Sequence, residues 1–248
     1  MAAKHGPRYN PTVATRAGKS GEQLVTRDSD IRRVLLANLG QKYNDPRHDL
    51  IVEEFGCNAA RADVAVINGS LHAFEIKSDS DSLERLPGQV EAYRGVFEYV
   101  TLVCGRRLLE RARTTVPDWW GLQKAVYKGG QVVLRNIRAP KLNPSQDALA
   151  LAGMFWKAEA LACLRKYGHK IVTSRNTAEE VLLAMAECIP VPVLTDEVRQ
   201  AIKVRGGSGF PRKSTQDDDS CTIESTALVS HSPDLSWLLS VQCQHRLE

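Results

Sequence analysis

Five side chains between positions 61 and 93 have the types and spacing for chemistry: Asp63, Glu75, Lys77, Gln89 and Tyr93. Two carboxylates set against each other at cross-strand separation repel, and a bound cation removes that penalty. Oxygen donors of this kind suit a hard divalent ion. A lysine two residues from Glu75 can neutralise an anion, or take a proton if its pKa falls well below the ordinary ~10.4. The set therefore reads as a place for a divalent cation and an anionic group, provided the chain brings its members together.

The elements that must do so are legible in residues 61–93, RADVAVINGSLHAFEIKSDSDSLERLPGQVEAY. Alternation over residues 62–67 points Asp63, Ala65 and Ile67 to one face and Val64 and Val66 to the other. In the next run Ala73, Glu75 and Lys77 share a face, opposed by His72, Phe74 and Ile76. Asn68-Gly69-Ser70 between them is a hairpin signal, because Asn and Gly tolerate positive φ. Register decides the outcome. A two-residue loop pairs Ile67 with Ser70 and sends Asp63 away from Glu75. A three-residue loop pairs Ile67 with Leu71 and sets Asp63 opposite Glu75. Residues 82–96 read as a helix with Leu83, Leu86, Val90, Tyr93 and Phe97 toward the sheet, and Gln89 and Tyr93 one turn apart. Pro87 either kinks that helix or restarts it as an N1 residue. Asp79 and Asp81 read as loop and cap residues.

Asp63, then Glu75-Ile76-Lys77, then Gln89-Val90-Glu91-Ala92-Tyr93 resembles the D…ExK…QxxxY series of the PD-(D/E)XK nuclease superfamily, in its RecB-like branch. The run through Val103, with the later Pro117-Asp118-Trp119-Trp120-Gly121, more closely resembles a family of bacterial proteins named after a locus tag. The resemblance covers about the first half of the chain. It implies an α/β, restriction-endonuclease-like αβββαβ core with a mixed central sheet, followed by a small helical region. It also implies metal-dependent hydrolysis of a nucleic-acid phosphodiester, with DNA as the expected substrate. Mg²⁺ or Mn²⁺ would be held by Asp63, Glu75 and the Ile76 backbone carbonyl, with Asp30 or Glu54 as a candidate further acid. Lys77 would orient or deprotonate water or neutralise the phosphate, and Gln89 and Tyr93 would position these groups. The alternative is a non-cleaving DNA-binding or partner-docking module on the same fold, working beside an operon-encoded protein. Taken singly, each residue has an ordinary reading: a strand end, a solvated pair, a surface glutamine, a core tyrosine.

Stepping outward, the 248-residue chain is long enough to bury a sizeable core. Its net charge of +4 is a weak vote for a phosphate-bearing partner. Six scattered cysteines show neither a zinc pattern nor a disulfide framework, and no apolar run approaches a membrane span, so a cytoplasmic protein without a membrane partner is expected. Residues 1–26 read as a flexible basic arm, 27–140 as the nuclease-like domain, 141–205 as a helical appendage and 206–248 as a Gly/Ser-rich linker and tail. Within 27–140 a helix over 28–39 capped by Asp28 or Ser29, a strand over 50–55, a buried strand over 99–104, a basic helix over 106–114 and a second hairpin around Gly129-Gly130 are expected. One of Trp119 and Trp120 should cover the core. Helices are expected over 147–166, 178–188 and 196–204. Arg61 is a candidate phosphate contact, as are Lys166, His169, Lys170 and Arg175 on the helical region. Oligomeric state is not legible.

Overall fold

A computed structural model describes residues 25–57, 60–170 and 172–207. The basic arm up to residue 24 and the linker and tail from 208 onward, with His231 and His245, lie outside the described residues. The elements are α1 (Asp28–Lys42), β1 (Leu50–Cys57), β2 (Ala60–Ile67), β3 (Leu71–Lys77), α2 (Leu86–Val96), β4 (Tyr99–Gly105), α3 (Leu109–Thr115), β5 (Gly121–Lys128) and β6 (Gln131–Arg138). Four helices follow: α4 (Ala148–Ala152), α5 (Lys157–Lys166), α6 (Ala178–Cys188) and α7 (Val191–Val204).

The strands form one six-stranded mixed sheet in the order β1-β2-β3-β4-β5-β6. β1, β2 and β3 are antiparallel, α2 and α3 make the two crossovers that leave β3, β4 and β5 parallel, and β6 returns antiparallel. The fold is thus the expected mixed α/β sheet followed by helices. Residues 99–104 explain the central strand: a β-branched run whose core positions are wholly buried can sit only where both faces are covered. Gly129 and Gly130 turn the β5–β6 hairpin with φ of 60° and 79°, a region costly for other residues.

Two apolar layers flank the sheet. Ile31, Leu35 and Leu39 of α1 pack on Val64, Val66, Phe74, Ile76 and Val103. On the other face one cluster joins Ala65, Ile67, Ala73 and Leu102 to Tyr93 and Phe97, and runs on through Leu151, Met154, Val181, Met185, Leu194, Val198 and Ile202. The C-terminal helices therefore belong to the same core as the sheet and are not an appendage hung from it. Each fully buried Leu, Ile or Met there stabilises the whole by about 1.5–3 kcal/mol.

Several local expectations shift. Arg27, not Asp28 or Ser29, stands at the α1 N-cap, and no side chain caps that helix. Pro87 starts α2 rather than kinking it, and Pro192 likewise sits in the first turn of α7, which begins at Val191 rather than near 196. Residues 147–166 form two helices, because the chain turns through Gly153 to bury Met154 and Phe155. β1 continues through Gly56 to Cys57. Thr26 is buried, and its N–H and hydroxyl donate to Asp79 Oδ2 at 3.0 and 2.8 Å, so it is part of the fold. Trp120 is the core tryptophan, while Trp119 packs partly buried against it. Among the described residues no helix is long and apolar enough to cross a membrane.

Candidate active site

The β2–β3 hairpin takes the three-residue register, with Ile67 opposite Leu71, Val66 opposite His72, Ala65 opposite Ala73 and Val64 opposite Phe74. Asn68 Oδ1 accepts the Ser70 N–H at 2.9 Å, a local turn its short side chain favours. α7 fastens this turn from a distance. Lys203 Nζ donates to the Asn68 carbonyl at 3.2 Å, and Arg199 pairs at 2.6 Å with Glu98, whose Oε2 also accepts the Leu71 N–H at 2.7 Å.

The β2–β3 ladder stops one pair short of Asp63 and Glu75. On the β1 side the alternation also breaks: Glu53 pairs with Val64, whose side chain lies in the α1 layer, whereas Phe55 pairs with Ala62, and both belong to the opposite layer. The strand face reverses at Glu54 and Asp63. Glu54 has φ of 53°, a conformation uncommon for a non-glycine residue. Asp63 is thereby placed where β2 leaves β3, accepting the Ile76 N–H on Oδ2 at 2.7 Å and Arg32 Nη2 on Oδ1 at 2.7 Å.

Glu75 is the hub. Its carboxylate is 2% exposed as a residue, yet three side chains converge on it. Lys77 Nζ donates to Oε1 at 2.5 Å, and Gln89 Nε2 donates to the same oxygen at 2.6 Å. The Tyr93 hydroxyl lies 2.6 Å from Oε2 and 2.8 Å from the Arg61 carbonyl oxygen. That phenol has one hydrogen for two acceptors. It donates to Glu75 Oε2 or to the Arg61 carbonyl, one at a time. Burial pushes the Glu75 carboxyl above its ordinary range, and repulsion from Asp63 adds to this while Lys77 opposes it. Burial also raises Asp63, against the pull of the Ile76 N–H and Arg32. Burial and the neighbouring Glu75 push the Tyr93 hydroxyl far up, so it stays neutral.

Asp63, Glu75, Lys77 and Gln89 line one cleft of about 1510 Å³, together with Asp28, Glu54, Arg61 and Ile76, while Tyr93 is wholly buried behind Glu75. Arg61 is 68% exposed at its rim and pairs with Glu54 at 2.8 Å. Asp30 is not in the cleft: its carboxylate accepts from Tyr127 and Arg33, and the α1 acid that does line it is Asp28. Lys166 is tied to Glu197 at 2.6 Å, Lys170 and Arg175 are exposed, His169 is half-buried, and none of the four lines the cleft.

The residue that sequence reasoning missed is Arg32. Its guanidinium reaches Asp28 at 3.2 Å, Glu54 at 2.9 Å and Asp63 at 2.7 Å. Hydrogen bonds and charge from Asp28 and Asp63 outweigh its partial burial and keep it firmly cationic. The i,i+4 pairing with Asp28 is legible in the sequence; the reach to Asp63, across 31 positions, is not. Among the described residues, no three His, Cys, Asp or Glu side chains are gathered as a ready metal cage. The donor chemistry nevertheless fits a hard cation. The half-buried Asp63 carboxylate raises the cost of ionising the buried Glu75, and Gln89 Oε1 is a buried acceptor with no hydrogen-bond partner among the described residues.

Comparison with known proteins adds lineage. Residues 23–211 match the family model described as Bacteriophage P4 protein cII. The chain belongs to the bacteriophage P4 protein cII family. The match takes in both the sheet and α4 to α7, the same extent as the shared core. Protein cII of Enterobacteria phage P4 is 32% identical over 145 residues, which is 58% of this chain and 54% of that protein, so the alignment spans about half of the relative's length. A solved protein of unknown function from Silicibacter pomeroyi is 19% identical, covering 56% of this chain and 94% of its own, with a TM-score of 0.31, too loose a superposition to bear on chemistry.

Proposed function

We propose that this cII-family chain is a metal-dependent nuclease that hydrolyses phosphodiester bonds, with DNA as its expected substrate. The observation that carries the reading is the convergence of Lys77, Gln89 and Tyr93 on the buried Glu75 carboxylate, inside a cleft that also holds Asp63. A structural ion pair would need none of the surrounding donors, and a buried Lys–Glu pair alone is poor value for stability. Asp63 and Glu75, with the Ile76 carbonyl, would hold Mg²⁺ or Mn²⁺. Such an ion, when bound, lowers the pKa of water and offsets negative charge on a reacting phosphate.

The remaining work falls to the chain. Lys77 sits at the cleft with its charge directed by Glu75 and can neutralise the phosphate. Gln89 brings an amide whose nitrogen is fixed on Glu75 and whose oxygen is free to accept from water. Tyr93 holds Glu75 against Arg61 and excludes solvent from behind it.

Arg32 favours a second reading, a binding module that does not cut. It already supplies a cation to Asp63, so cleavage requires Asp63 to divide its oxygens between Arg32 and the metal. The experiment is incubation of purified protein with single-stranded DNA, duplex DNA and RNA in Mg²⁺, Mn²⁺ or EDTA. Cuts with a divalent ion that vanish in EDTA are expected. Intact substrate in every metal, with DNA still bound, would instead favour the non-cutting module.

A further inference from the structure

The cleft itself does not attract a polyanion. Its lining carries eight carboxylates against four basic side chains, so affinity for a nucleic-acid backbone has to come from another surface. Charge in this chain is segregated. Residues 106–141 hold nine Lys and Arg against two acids, while the chain totals are 33 and 29, leaving the remainder net acidic.

The sheet register arranges part of that charge in a line. Lys77 on β3 is in register with Cys104 on β4, Cys104 with Lys124 on β5, and Lys124 with Arg135 on β6. Residues in register share a face, but Cys104 is wholly buried in the apolar layer, so the accessible charge of the row begins at Lys124 and ends at Arg135 on the edge strand, about 4.8 Å away. Lys124 and Arg135 are like charges directly opposite each other, an arrangement that destabilises a hairpin unless an anion lies between them. Neither forms an ion pair among the described residues, and the same holds for Arg106, Arg107, Arg111 and Arg113 around α3. Those four arginines and Arg135 are exposed, and Lys124 is half-buried. The cations of the C-terminal helices differ: Lys166, Arg199 and Arg205 are spent on Glu197, Glu98 and Glu159.

We infer that the face formed by α3, β5 and β6 binds the phosphate backbone of nucleic acid, without reading sequence. The inference goes beyond the cleavage reading, and binding to this face does not require that the substrate be cut.

The test is binding of a fluorescent DNA duplex to the full chain in EDTA, across salt, for wild type and the Lys124→Gln/Arg135→Gln double variant. Each lost phosphate contact reduces the slope of log affinity against log salt by about 0.9, so the double variant should lose about 1.8. Between about 50 and 200 mM salt, wild-type affinity should therefore fall roughly 12-fold further than that of the variant. Arg111→Gln/Arg113→Gln should act in the same direction, guarding against a local hairpin defect, and thermal unfolding confirms that each variant is folded. Lys166→Gln/Lys170→Gln/Arg175→Gln should bind as wild type does. An unchanged slope in both basic-face variants would overturn the inference, as would wild-type binding to phosphatidylserine vesicles but not to DNA, or to neither. Because no metal is present, absence of cleavage cannot be mistaken for absence of this site.

Discussion

Glu75 and Asp63 make the stability of the protein a function of pH. Both carboxyls are raised in the fold above their ordinary values of 4.5 and 3.8, chiefly by burial. Between the ordinary and the raised value the folded chain binds more protons than the unfolded one, so stability falls as pH rises through that window. Denaturant unfolding should accordingly show a less stable protein at pH 8 than at pH 5, and Glu75→Gln should flatten the difference. A wild-type stability that rose over the same range would contradict the burial of these groups as the dominant influence. The residue types of the site were legible from their spacing along two strands and a helix, and the structure brings four of the five to one cleft, with Tyr93 reaching it through Glu75. Asp30 and the C-terminal basic residues were not resolvable in the same way. Their placement depends on helix rotation and on remote partners such as Tyr127 and Glu197, which spacing does not reveal.

At the scale of elements, α1 and the β2–β3 hairpin set the balance between the Arg32–Asp63 ion pair and the proposed metal site. Arg32 is anchored by α1 and holds Asp63, at side-chain exposures of 18% and 20% that screen the pair only in part. Arg32→Ala should cost the fold about 1–3 kcal/mol, the usual penalty for leaving a partly buried charged acceptor without its donor. It should also tighten Mn²⁺ binding, measured by calorimetry, since Asp63 then has no competing cation. Weaker Mn²⁺ binding in the variant would show that Arg32 organises the site and does not compete for it. The hairpin itself was half-legible: Asn68-Gly69-Ser70 announced a turn but allowed two registers. The choice rests on the Asn68 turn together with α7, which grips it through Lys203 and through Arg199 and Glu98. The reversal of strand face at Glu54 and Asp63 was invisible, because it breaks the alternation from which strands are read.

For the whole molecule, the succession of strands and helices pointed to a mixed α/β sheet, whereas the packing of α4 to α7 against that sheet was not legible. α4 to α7 carry apolar stripes that read equally as a separate bundle or as cover for the sheet, and only packing shows that they cover it. Truncation after Pro140 should therefore yield insoluble or unfolded protein, because it strips the layer over α2 and releases the clasp on the β2–β3 turn. A soluble, cooperatively folding fragment would restore the two-domain view. Lys77 is buried beside Glu75 and opens on the same cleft. The most direct test is the Mg²⁺-dependent cleavage rate of folded Lys77→Ala beside wild type, on the substrate that wild type cuts. A loss of about 10²–10³-fold is predicted, the usual consequence of removing one preorganised charge from a reacting site; cleavage at the wild-type rate would contradict a catalytic site at Glu75 and Lys77.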